Sequence, residues 1–343
     1  MDLKGKTALL TGGCGFIGSH IADLLIRDEQ IGKIVIIDNL TRGTVHNIEW
    51  AQRHGNVELV CKDIRRFDDI RPYFNGADVV FHLAAIRITA CAAEPRECLE
   101  VMVDGTYNVV EASMQAGVKR FVASSTASIY GSADDYPTTE THHPYNNRTW
   151  YGAAKMANEG LYRSFNDMFD LPYLALRYFN VHGPRMDVFG KYTEVLIRWL
   201  ECLDRDECPK IFGDGKTSMD FVFVEDVARA NILAAKSEIV DDVFNVASGS
   251  ETTLLELLQM LLKVTGRTDV QPEMLPERKI NPVPRRLADV AKAEKLLGFR
   301  AQVGLEEGLR RLVEWRQRVI SNNNYHNYAA GTATAVAAEG RTW

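Results

Sequence analysis

The sequence predicts an α/β protein built on a doubly wound parallel sheet with a smaller C-terminal α/β domain, and three observations support this. Short β-rich runs alternate with helical stretches, a glycine-rich turn joins the first run to the first helical stretch, and the alternation loses its regularity near residue 181. The runs are TALLT (7–11), KIVII (33–37), NVELV (56–60), DVVFHL (78–83) and RFVASS (120–125). Amphipathic stretches between them, such as Phe16 to Asp28 and Leu99 to Gln115, have the length that a right-handed crossover helix needs. A sixth run, PYLALRYF (172–179), leads into a turn at Gly183 and Pro184, after which Pro209, Gly213 and Gly215 interrupt the pattern. One domain is therefore expected over 1–180 and a second over 181–320. The strand–helix pattern FVFVEDVARANILAA (221–235) returns the chain to the first domain over about 221–247, and Thr253 to Val264 reads as a further helix. Residues 321–343 are Asn-rich and then Ala/Thr/Gly-rich, lack apolar periodicity, and are expected to form a flexible tail.

Composition narrows the function classes. The 343 residues are 46% hydrophobic and 25% charged, enough for one large core or two modest ones flanking a cleft. Forty basic and 46 acidic residues give a net charge of -6 with no basic stripe, which argues against a nucleic-acid partner. Cys14, Cys61, Cys91, Cys98, Cys202 and Cys208 form no CxxC pair and no metal-type His/Cys cluster. Reduced thiols in a cytoplasmic protein are the expectation, with neither disulfide nor metal. No run approaches the ~20 apolar residues of a membrane span.

The glycine turn carries the first chemical signal. TGGCGFIGSH places Gly12, Gly15 and Gly18 between the first strand and first helix, where absent Cβ atoms let the backbone approach a pyrophosphate at the helix N-terminus. This is the pattern of a Rossmann dinucleotide site. Asp38 ends the second strand twenty residues past Gly18, where a carboxylate accepts hydrogen bonds from the adenosine ribose and repels a 2′-phosphate. NAD is therefore the expected cofactor, although Arg42 lies close enough in sequence to keep NADP in view.

The segments TGGCGFIGS, DNLTRG, KDIR, HLAA, SSTASIYG, YGAAK, RYFNVHGPR, GDGKTSMDFVFVEDVA and RRLADVAKAEKLLGF occur in that order over nearly all of residues 5 to 315. In this it resembles the extended short-chain dehydrogenase/reductases, and within them the nucleotide-sugar epimerases and dehydratases. The resemblance implies cofactor contacts from Phe16 and Ile17 in the glycine turn, Asn39 beside Asp38, Asp63 and Ile64 at the adenine, Leu83, Ala84 and Ala85 along the cofactor path, and Ser124.

Tyr151 and Lys155 are spaced i, i+4 on a helix expected to begin near Trp150, so they share a face. A tyrosine ordinarily ionises near ~10; a neighbouring ammonium, helped by a cationic nicotinamide, favours the phenolate that can act as base near neutrality. The resemblance gives Lys155 a second role on the nicotinamide ribose and gives Thr126 the reacting hydroxyl as its partner. Together they fit NAD-dependent 4-epimerisation of a UDP-sugar: Tyr151 takes the 4-hydroxyl proton, a transient 4-keto sugar rotates, and the C4 hydride returns to its other face.

Other reactions compete with this one. A nucleotide-sugar 4,6-dehydratase starts in the same way, but relatives of that kind carry an Asp-Glu pair where this chain has Thr126-Ala127, and decarboxylating relatives carry a Glu in the same stretch. A keto-sugar reductase needs the same three residues, but Asp38 disfavours the usual NADPH. A non-catalytic NAD-sensing protein would keep the glycines and Asp38 without needing Tyr151, Lys155 and Thr126.

For the substrate, the resemblance implies contacts from Thr126, Ser128, Asn180 and the uracil-edge segment Ile211-Phe212. Many relatives carry Arg where Met219 stands, and a thioether cannot replace that charge on a pyrophosphate. Lys279 or Arg278 lies nearest the family's second basic position, with Arg285 and Arg286 also available. Arg185 in FNVHGPR could face the sugar and grip a C6 carboxylate, or serve phosphate or a structural pair. Packing of the helices Leu99–Gln115 and Tyr151–Phe169 in relatives of this kind makes a homodimer the expected assembly.

Overall fold

The structure is a computed structural model that describes residues 1–188, 194–277 and 283–321. The first half alternates as expected: β1 (Thr7–Thr11), α1 (Phe16–Arg27), β2 (Lys33–Ile37), α2 (Glu49–His54), β3 (Val57–Val60), α3 (Phe67–Ile70) and β4 (Val79–His82). Next come the short helices α4 (Ile88–Ala93) and α5 (Pro95–Leu99), then α6 (Gly105–Gln115), β5 (Arg120–Thr126), α7 (Trp150–Phe169) and β6 (Tyr173–Tyr178). The expected helix Leu99 to Gln115 differs slightly: it opens with a π-type turn over Glu100–Asp104 before regular α-helix begins at Gly105.

The remaining elements are β7 (Asn180–His182), α8 (Val195–Asp204), β8 (Lys210–Phe212), β9 (Ser218–Phe223), α9 (Val224–Lys236), β10 (Asp242–Val246) and β11 (Glu251–Thr253). After them follow α10 (Leu254–Thr265), β12 (Glu273–Leu275), β13 (Arg285–Arg286), α11 (Ala291–Leu297) and α12 (Leu305–Ser321). Local chemistry sets several of these ends. The Thr149 hydroxyl accepts the Gly152 N–H at the start of α7, and Thr253 and Glu256 form a reciprocal capping box on α10.

The main sheet has seven strands in the order β10-β6-β5-β4-β1-β2-β3, and every pair is parallel. Its central strands β4, β5 and β6 are buried at every residue, as a sheet covered on both faces requires. On one face α1 and α9 pack with Leu10, Ile36 and Phe81; on the other α6 and α7 pack with Val80, Phe121 and Tyr162. Strand order reverses between β1 and β4, so their carboxyl ends part and leave a crevice.

The chain re-enters this sheet after residue 221, though not through the predicted run itself. That run supplies β9, which belongs to a second sheet with β7, β11 and β13, and α9; the seventh strand of the main sheet is β10. Beside the second sheet, α8, α10 and α12 enclose a separate core around Trp199, Leu257 and Leu309.

One expectation is corrected. Cys91 and Cys98 are joined in a disulfide with Cα atoms 4.8 Å apart. The break at Glu94-Pro95 turns α4 into α5 and brings the two thiols face to face against Met102 and Ala154, a proximity that a seven-residue spacing does not reveal. The argument from six reduced thiols to a reducing compartment therefore falls away. Among the described residues, no helix is long and apolar enough to cross a membrane.

Candidate active site

The crevice between β1 and β4 opens into a cleft of about 590 Å³, and every residue expected to contact the cofactor lines it. Gly12 has φ +70°, and a Cβ there would lie 2.7 Å from the Ala84 backbone nitrogen. At Gly18 a Cβ would lie 2.6 Å from the Gly12 carbonyl oxygen. The β1–α1 turn thus packs directly on the loop after β4 and on its own helix. Gly15 caps α1 without a side-chain acceptor, so the first N–H groups of the helix face the cleft uncapped, as an anion-binding helix end must.

Asp38 ends β2 as a buried carboxylate. It accepts N–H groups from Cys14 (3.0 Å) and Leu40 (2.9 Å); burial raises its pKa, and those two bonds oppose the rise. Arg42, the residue that kept NADP in view, lies 3.8 Å from Asp187, which also receives Arg87 at 3.5 Å. Its charge is therefore directed across the cleft mouth to a carboxylate. Asn39 donates to Asp63 (3.2 Å), which also binds Arg65 (2.7 Å).

The three expected catalytic side chains meet at the end of β5 and the start of α7. The Thr126 hydroxyl at the end of β5 stands near enough to the Tyr151 phenol to act on it. Burial raises the phenol pKa; the Thr126 hydroxyl and the Arg42 charge oppose that rise. Lys155, one turn on, donates to the Ser124 carbonyl (2.7 Å) and hydroxyl (3.0 Å). Burial brings the Lys155 ammonium down to about 8, with Glu159 opposing.

The substrate candidates scatter more widely. Ser128 lines the cleft, and its N–H donates to the Thr126 hydroxyl (3.1 Å). Asn180 starts β7 and donates to the Asp220 carbonyl (3.0 Å), tying β7 to β9. Ile211 and Phe212 lie on β8, which pairs along one edge with β12 and whose other edge is open among the described residues. Arg185 lines the cleft but pairs with Asp23 of α1 at 2.7 Å, which supports the structural alternative for that side chain. Lys279 and Arg278 lie outside the described residues.

Sequence reasoning missed three features. The link of Arg42 and Arg87 to Asp187 and Glu194 left no motif, and neither did Trp315 of α12, which reaches the cleft from the far end of the chain. Asp134, His142 and His143 gather on an exposed turn with ligand-type atoms within 4.8 Å, and His143 already bonds Asp134 at 2.9 Å.

Against this geometry, residues 8–247 match the model of the NAD dependent epimerase/dehydratase family. The chain belongs to that family. NAD is accordingly the cofactor of this family member, in agreement with the glycine cradle and Asp38. Over 315 residues, 90% of the chain and 97% of the relative, it is 35% identical to UDP-glucose 4-epimerase of Mycolicibacterium smegmatis. A solved UDP-N-acetylglucosamine 4-epimerase of Methanobrevibacter ruminantium, in complex with UDP-N-acetylmuramic acid, superposes with TM-score 0.86 at 34% identity. That comparison covers 92% of this chain and 99% of the other. UDP-glucuronic acid 4-epimerase from Bacillus cereus, in complex with UDP-glucuronic acid and NAD, gives TM-score 0.82 at 27% identity, covering 91% and 99%.

For this epimerase/dehydratase family member, Asp38→Ala should weaken NAD binding by about tenfold, because the ribose hydroxyls lose a charged acceptor. Equilibrium titration of NAD reads that loss. Denatured wild-type protein should release NAD, and release of mainly NADP would overturn the role given to Asp38.

Proposed function

We propose that this protein interconverts the C4 epimers of a UDP-sugar through a transient 4-keto sugar, with Tyr151, Lys155 and Thr126 as the catalytic residues. The observation that carries the proposal is that Tyr151 and Lys155 line the same cleft as the glycine cradle and Asp38, with the Thr126 hydroxyl near enough to lower the Tyr151 phenol pKa. Bound NAD supplies the acceptor, and then the donor, for the C4 hydride. Tyr151 removes the proton of the 4-hydroxyl and returns it to the product. Thr126 holds the reacting oxygen against Tyr151. Lys155, fixed by Ser124, places its ammonium on the same helix face and favours the phenolate.

Elimination of water needs a further acid and base, and the end of β5 offers Thr126-Ala127. Glu159, one turn past Lys155, is held by the Arg177 guanidinium at 3.0 and 2.7 Å and by the Ser125 hydroxyl, so its carboxylate is already engaged. These features favour return of the hydride over loss of water. Relatives named as UDP-sugar epimerases support the UDP carrier. Incubation with a panel of UDP-sugars, followed by NMR, is expected to show a C4 epimer accumulating to equilibrium without added NAD. Conversion to a 4-keto-6-deoxy sugar, or to a pentose with release of carbon dioxide, would replace this reading.

A further inference from the structure

The two-residue strand β13 runs parallel beside β9, with Arg286 in register with Met219 and Arg285 with Ser218. Residues in register share a face, and alternate residues along a strand return to it. Arg286 therefore projects from the face that carries Met219 and Phe221, and Phe221 is itself in register with Asn180. Arg285 takes the opposite face, where Glu251 binds its guanidinium at 2.7 Å through two nitrogens and the Tyr136 ring stacks 4.7 Å away.

Arg286 has no such partner. No hydrogen bond or ion pair joins it to any described residue, and its Nε is buried without an acceptor. Its charge acts on the Tyr151 phenol and on Tyr136. Burial lowers the guanidinium to about 10, which leaves it charged near neutrality. A buried donor without an acceptor is costly, and an arriving anion that accepts from the Arg286 Nε relieves that cost.

Under the C4 chemistry proposed above, on which this inference rests, the sugar C4 sits at Tyr151. C5 joins C4 to C6, so a C6 carboxylate lies one ring carbon from the reacting centre. The diphosphate leaves the ring at C1, on the opposite side. A charge that reaches Tyr151 is thus better placed for a group on C6. Arg185, which also lines the cleft, already has Asp23 as its carboxylate.

We propose that Arg286 is a specificity-determining residue that binds a carboxylate on the sugar ring, and that the substrate class is an acidic UDP-sugar of the hexuronate type. The planar fork of the guanidinium matches a carboxylate through two parallel hydrogen bonds, which a 6-hydroxymethyl group cannot provide.

The test is equilibrium binding of UDP-glucuronate, UDP-glucose and UDP to the NAD-loaded Tyr151→Phe protein, with and without Arg286→Leu or Arg286→Lys. With Arg286 present, UDP-glucuronate should bind about tenfold or more tighter than UDP-glucose. Arg286→Leu should erase that difference and leave UDP-glucose and UDP unchanged, while Arg286→Lys should keep part of it. Equal weakening of all three ligands would assign Arg286 to the diphosphate and overturn the proposal. Equal affinity for the two sugars with Arg286 present would also overturn it, even if the Leu variant does not fold. Because binding is read without turnover, Arg286-dependent uronate preference in a protein that forms no C4 epimer would count against the epimerase reading alone.

Discussion

Tyr151→Phe is expected to reduce turnover by about a hundredfold or more while NAD stays bound, because the change deletes the ionisable oxygen and keeps the ring. The ring packs with the group formed by Cys91, Cys98, Met102 and Ala154, and a phenylalanine retains those contacts. The Thr126 hydroxyl is not orphaned, since it still accepts the Ser128 N–H. Folding and cofactor content should therefore be near normal, and a rate assay under saturating UDP-sugar isolates the chemical step. Turnover close to wild type would remove Tyr151 from the reaction and leave Lys155 without a phenol to activate.

The second large effect belongs to the glycine turn. A Gly18→Val side chain would place its Cβ 2.6 Å from the Gly12 carbonyl oxygen and 2.7 Å from the Gly13 Cα, both backbone atoms that cannot rotate aside. The turn must then separate from α1, and the uncapped N–H groups that fit the pyrophosphate move with it. The purified variant should contain essentially no bound NAD and should lose about 1–3 kcal/mol of stability from overpacking. Gly160→Ala is the control: no atom lies within 4 Å of a Cβ there, so NAD content should be unchanged and α7 slightly strengthened. Full NAD occupancy in Gly18→Val would show that the cradle does not need this close approach.

What the sequence reveals and what it hides divide along physical lines. Strands β1 and β2 and helix α1 are legible because burial on both sides makes continuous apolar runs, and crossover helices keep one apolar stripe. The turn is legible because close backbone approach leaves glycine as its trace. Tyr151 and Lys155 are legible because a helix fixes the geometry between them. Long-range pairing leaves no such trace: Asp23 precedes Arg185 by 162 residues, and nothing around either marks the other as its partner. Strand β13 has two residues, too few for any period, so the opposite destinations of Arg285 and Arg286 appear only once the register with β9 is known. The Cys91–Cys98 pair depends on a bend between two short helices, which spacing cannot supply.

The seventh strand, arriving late, makes the two halves of the molecule inseparable. If the chain ended after β6, that strand would be a bare edge in a sheet built for cover on both sides, with a row of main-chain donors and acceptors offered to any passing strand. Arg120 would lose the carbonyls of Ser237 and Ile239 that hold its guanidinium, and the Tyr173 hydroxyl would lose Asp241. A cut near residue 180 is therefore expected to leave the nucleotide-binding half with an exposed sheet edge and these side chains unpaired. Strands β7 and β9 of the second sheet, with α8 and α9, lie on the route from β6 to β10, so their loss is felt at the edge of the first. The molecule should therefore melt as one cooperative body, with the substrate half and the cofactor half lost together.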